Sequence, residues 1–202
     1  MAEKYERLPR EFFMRSPLDC ARELIGCVLR CGPCAGVVVE TEAYLETGDP
    51  ACHTFARPSA RAFVSSHPAG TAYVYFNYGV HWLANVLTKG EVNGFVLLRA
   101  LEPLEGLPAM RKRRKTTDDR LLASGPGRLT SALGIDGTMH GRDFCTNSRF
   151  CFERRDGLLY EVVTDVRIGI SKAKDFPWRF LAKGNPHISR PVRSSKKKNR
   201  QK

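Results

Sequence analysis

No stretch of this 202-residue chain approaches the ~20 consecutive apolar residues that a membrane-crossing helix needs. The opening residues, Met1-Ala2-Glu3-Lys4-Tyr5-Glu6-Arg7, have no apolar core, so no secretory leader is expected. Seven cysteines are an odd number, which suits a reducing compartment better than a disulfide framework. Together these absences lead us to expect a cytoplasmic protein with no membrane partner. Acidic residues are in short supply: 21 Asp and Glu stand against 33 Lys and Arg, for a net charge of +12 and a pI near 9.6. Such an excess favours a polyanionic partner. Ser194–Lys202 holds five basic residues and no acid, which lowers the body's own charge only to +7, so the body is basic by itself. The Gly-rich segment Ser124-Gly125-Pro126-Gly127-Arg128 has no Lys-Ser/Thr pair behind it, so ATP is not indicated.

One cysteine pair needs separate treatment. Cys31-Gly32-Pro33-Cys34 has the letters of the thioredoxin redox motif, but Ala35-Gly36-Val37-Val38-Val39 follows it, a strand pattern where that motif begins a helix. Gly-Pro between two strand-like arms reads as a turn. A zinc site on Cys27, Cys31 and Cys34 has no second matched pair to complete it.

The stretch Val37 to Asn85 carries most of the chemistry. Three valines favour extended structure and lead into Glu40-Thr41-Glu42-Ala43-Tyr44. Alternation places Glu40, Glu42 and Tyr44 on one face of that strand. The arrangement fits either a solvated strand end or a site built on a carboxylate. Ala72 to Val86 reads as a hairpin, with Asn77-Tyr78-Gly79 as its turn because Asn and Gly tolerate turn dihedrals. Tyr78 then stands at an exposed tip, as turn decoration or as an aromatic for a partner surface or for a gap between stacked bases.

Elsewhere the patterns are structural. Ser16 caps a helix that begins at Pro17 and ends at Gly26, with Leu18, Ala21, Leu24 and Ile25 as its apolar stripe and Phe12-Phe13 anchoring its start. Asp49 to Pro68 reads as a long irregular connection carrying His53, Arg57 and Arg61, since Pro50, Pro58 and Pro68 break any continuous helix. Phe95 to Leu101 is a buried strand with Arg99 inside it. A buried Arg requires a partner; Glu42 is one choice, Glu102 or Glu105 another. Arg111 to Lys115 is a basic run on a helix, either solvated or facing phosphate. Ser124 to Arg128 turns into a helix over Leu129–Leu133, whose amides favour an anion. Phe150–Glu153 and Val162–Ile170 are strands, with a turn at Asp156-Gly157.

These strings, in this order, resemble the alkyladenine (3-methyladenine) DNA glycosylase family in its compact bacterial form. The residues that carry the likeness are Val39-Glu40-Thr41-Glu42-Ala43-Tyr44, Tyr73-Val74-Tyr75 with Tyr78-Gly79, and Leu97-Leu98-Arg99-Ala100-Leu101-Glu102-Pro103. Ser124-Gly125-Pro126-Gly127, Pro177-Trp178-Arg179-Phe180 and Gly184-Asn185-Pro186 extend it, so that it covers roughly Tyr5 to Arg190. The expected fold is α+β: a single compact domain over residues 1–193, with a curved, mainly antiparallel β-sheet, flanking α-helices and a protruding β-hairpin. Residues 194–202 would form a basic tail.

The resemblance implies a monofunctional enzyme that removes damaged purines from double-stranded DNA by hydrolysing the N-glycosidic bond. It implies action as a monomer on the bacterial nucleoid, with no cofactor and no metal. It assigns Glu42 as the catalytic acid that activates water and Arg99 as the residue that orients it. Tyr44, His53 and Tyr75 become walls of the base pocket, Asn85 the residue that disfavours normal guanine, and Tyr78 the intercalating wedge. Arg61, Gly125, Gly127 and Arg128 are the candidate phosphate contacts. Two departures stand out. Ser59-Ala60-Arg61-Ala62 replaces the family's usual Thr-Pro-Arg-Asn, and Asn77 follows Phe76 where an apolar residue is common. The competing reading is a non-catalytic binder of damaged DNA or RNA, which gains nothing from an acid such as Glu42 facing a phosphate polyanion.

Overall fold

The Val37-Val38-Val39 run seeds the central strand of the sheet, β3 (Cys34–Leu45), which pairs along its length with β6 (Gly94–Glu105). The computed structural model describes residues 5–155 and 160–192. Outward from β3 lie β2 (Val28–Cys31), β7 (Phe150–Arg155) and β1 (Tyr5–Arg7). Beyond β6 lie β5 (His81–Thr88) and β4 (Ala72–Asn77). A short branch, β8 (Val162–Asp165) and β9 (Arg179–Ala182), pairs with β3 at Glu40–Glu42. Every strand pairing among the described residues is antiparallel. The α+β class, the single domain and the curved open sheet agree with the expectation from sequence.

Two register breaks decide what β3 and β6 present. Pairing passes from Val38 opposite Leu101 to Glu40 opposite Ala100, then to Thr41 opposite Leu98. Val39 on β3 and Arg99 on β6 therefore have no residue opposite them. Such bulges re-aim side chains and recur beside functional sites. Here the second one turns Arg99 toward the carboxylates of β3.

Period-two alternation divides the sheet into two faces. Val74, Ala84, Val86, Val96 and Leu98 face the main core with helices α2 (Pro17–Glu23), α5 (Leu107–Arg114) and α6 (Pro126–Leu133). Tyr73, Leu87 and Phe95 face a second cluster, covered by α4 (Pro58–Ser66) through Ala60, Phe63 and Val64. The helix α2 starts as expected: Ser16 Oγ accepts hydrogen bonds from the Leu18 and Asp19 amides. Phe12 and Phe13 lie buried in the preceding turn, α1 (Arg10–Phe13).

The structure corrects four local expectations. Asp49 to Pro68 is not irregular; it folds into α3 (His53–Ala56) and α4, because Pro58 sits at a helix start where its missing N–H is harmless. The helix expected from Leu129 begins at Pro126 for the same reason. The strand from Phe95 does not stop at Leu101 but runs on to Glu105. The strand expected over Val162–Ile170 stops at Asp165, where Arg167 turns inward to Asp49 and Gly169 adopts φ +77°. The Asp156-Gly157 turn and the Ser194–Lys202 tail lie outside the described residues. Cys31 and Cys34 face each other across the β2–β3 turn, both buried, and burial pushes the Cys31 thiol up to about 11. A thiol so raised is a poor redox nucleophile at neutral pH.

The close approach of β6 to the end of β3 yields a test. A Cβ on Gly94 would collide with the Tyr44 carbonyl oxygen and lie 2.8 Å from Pro17 Cγ. Gly94→Ala should therefore cost about 1–3 kcal/mol, the usual range for overpacking, read as a lower urea midpoint in equilibrium unfolding.

Candidate active site

The pocket grows from the end of β3. Glu42 is wholly buried, and its carboxylate is held by three donors. The Tyr44 hydroxyl donates to Oε2 at 2.8 Å, Arg99 Nη1 donates to Oε2 at 3.3 Å, and the Ile168 amide donates to Oε1 at 2.7 Å. Burial pushes the Glu42 carboxyl above the usual carboxylate range, while Arg99, the Ile168 amide and the Tyr44 hydroxyl pull the other way. Burial and the neighbouring Glu42 hold the Tyr44 phenol well above its ordinary value, so it remains a donor. All three contacts are donors to its oxygens, an arrangement that favours the ionised form against the effect of burial.

Tyr44, Arg99 and Ile168 also line a cavity of 570 Å³. That volume suits one small organic group. His53, Tyr73, Tyr75 and Asn85 form further walls. The His53 ring lies 4.4 Å from that of Tyr75, and its Nδ1 is 3.2 Å from the Tyr73 hydroxyl. Burial, with Arg57 beside it, lowers the His53 imidazole to about 4, so it is neutral at neutral pH. Asn85 is buried, and its Nδ2 donates to the Tyr73 carbonyl at 3.0 Å.

The mouth of the cavity lies between the hairpin tip and the start of α6. Tyr78 is 88% exposed and has φ +49°, followed by Gly79 at +69°. The positive dihedrals thus fall on Tyr78 and Gly79 and not on Asn77, whose carbonyl accepts from the Val80 amide at 3.1 Å. A bulky residue in this region is strained, a condition that marks functional positions. Phe76 and Val80 are exposed beside Tyr78 and complete an apolar tip. Across the mouth stand Gly125, Gly127 and Arg128. Gly127 allows the close approach: a Cβ there would come within 2.7 Å of the His81 ring.

A model of the methylpurine-DNA glycosylase family matches residues 11–186. The chain belongs to the methylpurine-DNA glycosylase family. Membership makes it a DNA glycosylase, an enzyme of DNA repair, with DNA as its partner. A protein of Nitrosospira multiformis is 47% identical over 182 residues, spanning 90% of this chain and 93% of its own. One from Nitrobacter winogradskyi is 44% identical over 189 residues, 93% of this chain and 89% of its own. One from Chlorobium luteolum is 40% identical over 190 residues, 91% and 97%. Each bears the name "putative 3-methyladenine DNA glycosylase".

Nine of the residues singled out from sequence line this one cavity: Tyr44, His53, Tyr75, Tyr78, Asn85, Arg99, Gly125, Gly127 and Arg128. Glu42 stands directly behind them. Arg61 does not join them; it is exposed on α4 and donates to the Thr54 carbonyl at 2.7 Å. In the basic run of α5, Arg111 is paired with Asp119, and Arg113 and Arg114 donate to the Ala132 and Leu122 carbonyls.

Sequence reasoning missed the support behind the glycosylase pocket. Arg167 and Asp49 form a fully buried two-bond pair at 2.6 and 2.8 Å. The Arg167 guanidinium lies 4.5 Å from the Tyr44 ring and 5.0 Å from that of Trp178. This pair fixes the segment that brings the Ile168 amide to Glu42. Its partners are 118 residues apart, and no local pattern couples them. Glu40 and Arg179 form a second buried pair at 2.7 Å. A signal for Glu40 did exist, since alternation placed it beside Glu42.

The neutral imidazole makes a direct prediction. His53 should titrate near pH 4 by NMR, against about 6.5 for a free imidazole. A lowered His value means that the unfolded chain takes up this proton first. The stability contributed by His53 is therefore full above pH 6.5 and is lost as pH falls toward 4.

Proposed function

We propose that this glycosylase extrudes damaged purines from duplex DNA and cleaves them off with a water activated by Glu42. The observation that carries the proposal is the buried carboxylate, held by three donors behind an aromatic-walled cavity. Glu42 Oε2 is occupied by Tyr44 and Arg99, whereas among the described residues Oε1 accepts only the Ile168 amide. A carboxylate oxygen has two acceptor sites, so Oε1 retains one for a water proton. The water would add to the anomeric carbon as the base leaves, and Glu42 would take its proton. The negative charge also favours the positive charge that develops on the sugar. With no enzyme amine in the attack, no covalent intermediate forms and no strand break follows.

The remaining residues fit steps before that one. A base in a duplex must be rotated out before its glycosidic bond is reached. Tyr78, with Phe76 and Val80 beside it, is the wedge for the vacated gap. Tyr44, His53 and Tyr75 take the extruded base between ring faces. A neutral His53 adds no repulsion to a base made cationic by alkylation. Alkylated, deaminated and etheno purines are the substrate classes this pocket suits. Asn85, fixed through the Tyr73 carbonyl, disfavours guanine by conflict with its exocyclic amine. Gly125, Gly127 and Arg128 receive phosphate at the rim, and Arg61 meets DNA outside the cavity. The cavity is complete within one chain, which is consistent with a monomer.

The test is single-turnover treatment of duplexes carrying one hypoxanthine, one ethenoadenine or a methylated purine, followed by alkali. Strand breaks should require alkali. Glu42→Gln should slow base release by about 10²–10⁴-fold, the usual worth of a positioned base. Tight lesion binding with no base released from any of the duplexes would leave only the damage binder.

The strained wedge makes an opposite-signed prediction for folding and activity. Tyr78→Gly should relieve a left-handed dihedral worth about 1 kcal/mol and raise Tm by about 2–4 °C. The same variant should lose base release from paired lesions. A drop in Tm would refute the strain, and undiminished release would refute the wedge.

A further inference from the structure

Arg99 is divided between two carboxylates. Its Nη1 donates to Glu42 Oε2 at 3.3 Å and its Nε to Glu40 Oε1 at 3.2 Å. Glu40 is wholly buried and does not line the cavity. Its other partners lie on the far side: Arg179 Nε at 2.7 Å and Ser189 Oγ at 2.8 Å donate to Oε1, and the Ser189 amide donates to Oε2 at 2.5 Å. Arg179 continues to Asp165 Oδ2 at 3.1 Å and to the Arg190 carbonyl. The outcome is a line of alternating charge through the sheet: Glu42, Arg99, Glu40, Arg179, Asp165.

We propose that Glu40 is a positioning residue that sets the base strength of Glu42 by sharing Arg99 with it. The proposal rests on the reading of Glu42 as the general base. An undivided guanidinium beside a carboxylate stabilises its ionised form and makes it a weaker base. A second carboxylate on the same guanidinium offsets that effect, and its own negative charge acts in the same direction. Glu40 also fixes the planar fork of Arg99, which a lone contact would leave free to turn. The groups facing Glu42 come from five elements. They are Glu40 and Tyr44 on β3, Arg99 on β6, Tyr75 on β4, the Ile168 amide with Arg167 behind Tyr44, and, through Glu40, Arg179 on β9. Of these, Glu40 is the only carboxylate on Arg99 besides Glu42 itself among the described residues. Burial and Glu40 both raise the proton affinity of Glu42, against Arg99, Tyr44 and the Ile168 amide.

The test uses the full-length protein in excess over methylated duplex DNA, whose lesions carry a fixed positive charge and need no proton to leave. Base release is followed from pH 5 to 9, and DNA affinity is measured separately by anisotropy on an abasic-analogue duplex. Glu40→Gln should move the acid limb down by about one pH unit. It should lower the plateau about three- to tenfold, with DNA affinity within about twofold of the parent. An unmoved limb, or equal losses of rate and affinity, overturns the proposal. Should Glu40→Gln fail to fold, Ser189→Ala decides. That change strips one donor from the Glu40 oxygen that binds Arg99, so the limb should move to higher pH, and an unmoved limb again overturns the proposal. Glu42→Gln runs in parallel. Full activity there would sink the general-base reading itself, whereas an inactive Glu42→Gln with an unmoved limb in Glu40→Gln sinks only the role of Glu40.

Discussion

A guanidinium held inside a β-sheet by two carboxylates is the constraint on which the architecture turns. Burying Arg99 alone would be prohibitive, and burying Glu40 and Glu42 together without it would be as well. Their contact exists because β3 and β6 each carry a bulge where the three side chains meet. The surrounding elements complete the charge balance: β9 brings Arg179, the end of β8 brings Asp165, and the segment after Asn185 brings Ser189. The sheet is therefore organised around a polar line, with the main apolar core on one side of it and the cavity on the other.

The two faces of the sheet do different work. One carries the apolar side chains that pack under α2, α5 and α6, and supplies ordinary burial. The other carries tyrosines, a histidine and an asparagine around an open cavity. Alternation along β4, β5 and β6 produces both from the same strands, so Val74, Ala84, Val86, Val96 and Leu98 each have a pocket residue as a chain neighbour. Stability and chemistry are in this way built on one backbone, with little freedom to change either alone.

Much of this was legible in the chain. The Ser16-Pro17 start of α2, the β4–β5 hairpin and the buried run around Arg99 follow from local chemistry, and they reappear with small shifts of boundary. The cavity residues were named through the family resemblance, and the structure gathers all but Arg61 at one place. What was illegible depended on distance or on register. Asp49 meets Arg167 only because β8 ends early, and nothing near either residue announces that. The bulge that aims Arg99 is a mismatch between two strands, a property that neither strand shows by itself. Pro58 was read as an interruption and Pro126 as part of a turn, although both sit where a helix begins.

The contact between α6 and the hairpin has a mechanical meaning. Thr130 Oγ1 donates to the Trp82 carbonyl at 2.7 Å, and Gly127 lies against the His81 ring. The hairpin that bears Tyr78 and the helix that bears Arg128 are consequently joined at the root of the hairpin. That joint couples the spacing of tip and rim to the packing of α6 on β5, as the beam of a caliper couples its jaws. On the wedge reading proposed above, a duplex would meet tip and rim as a pair, and the ease with which a lesion lets it deform would contribute to selection.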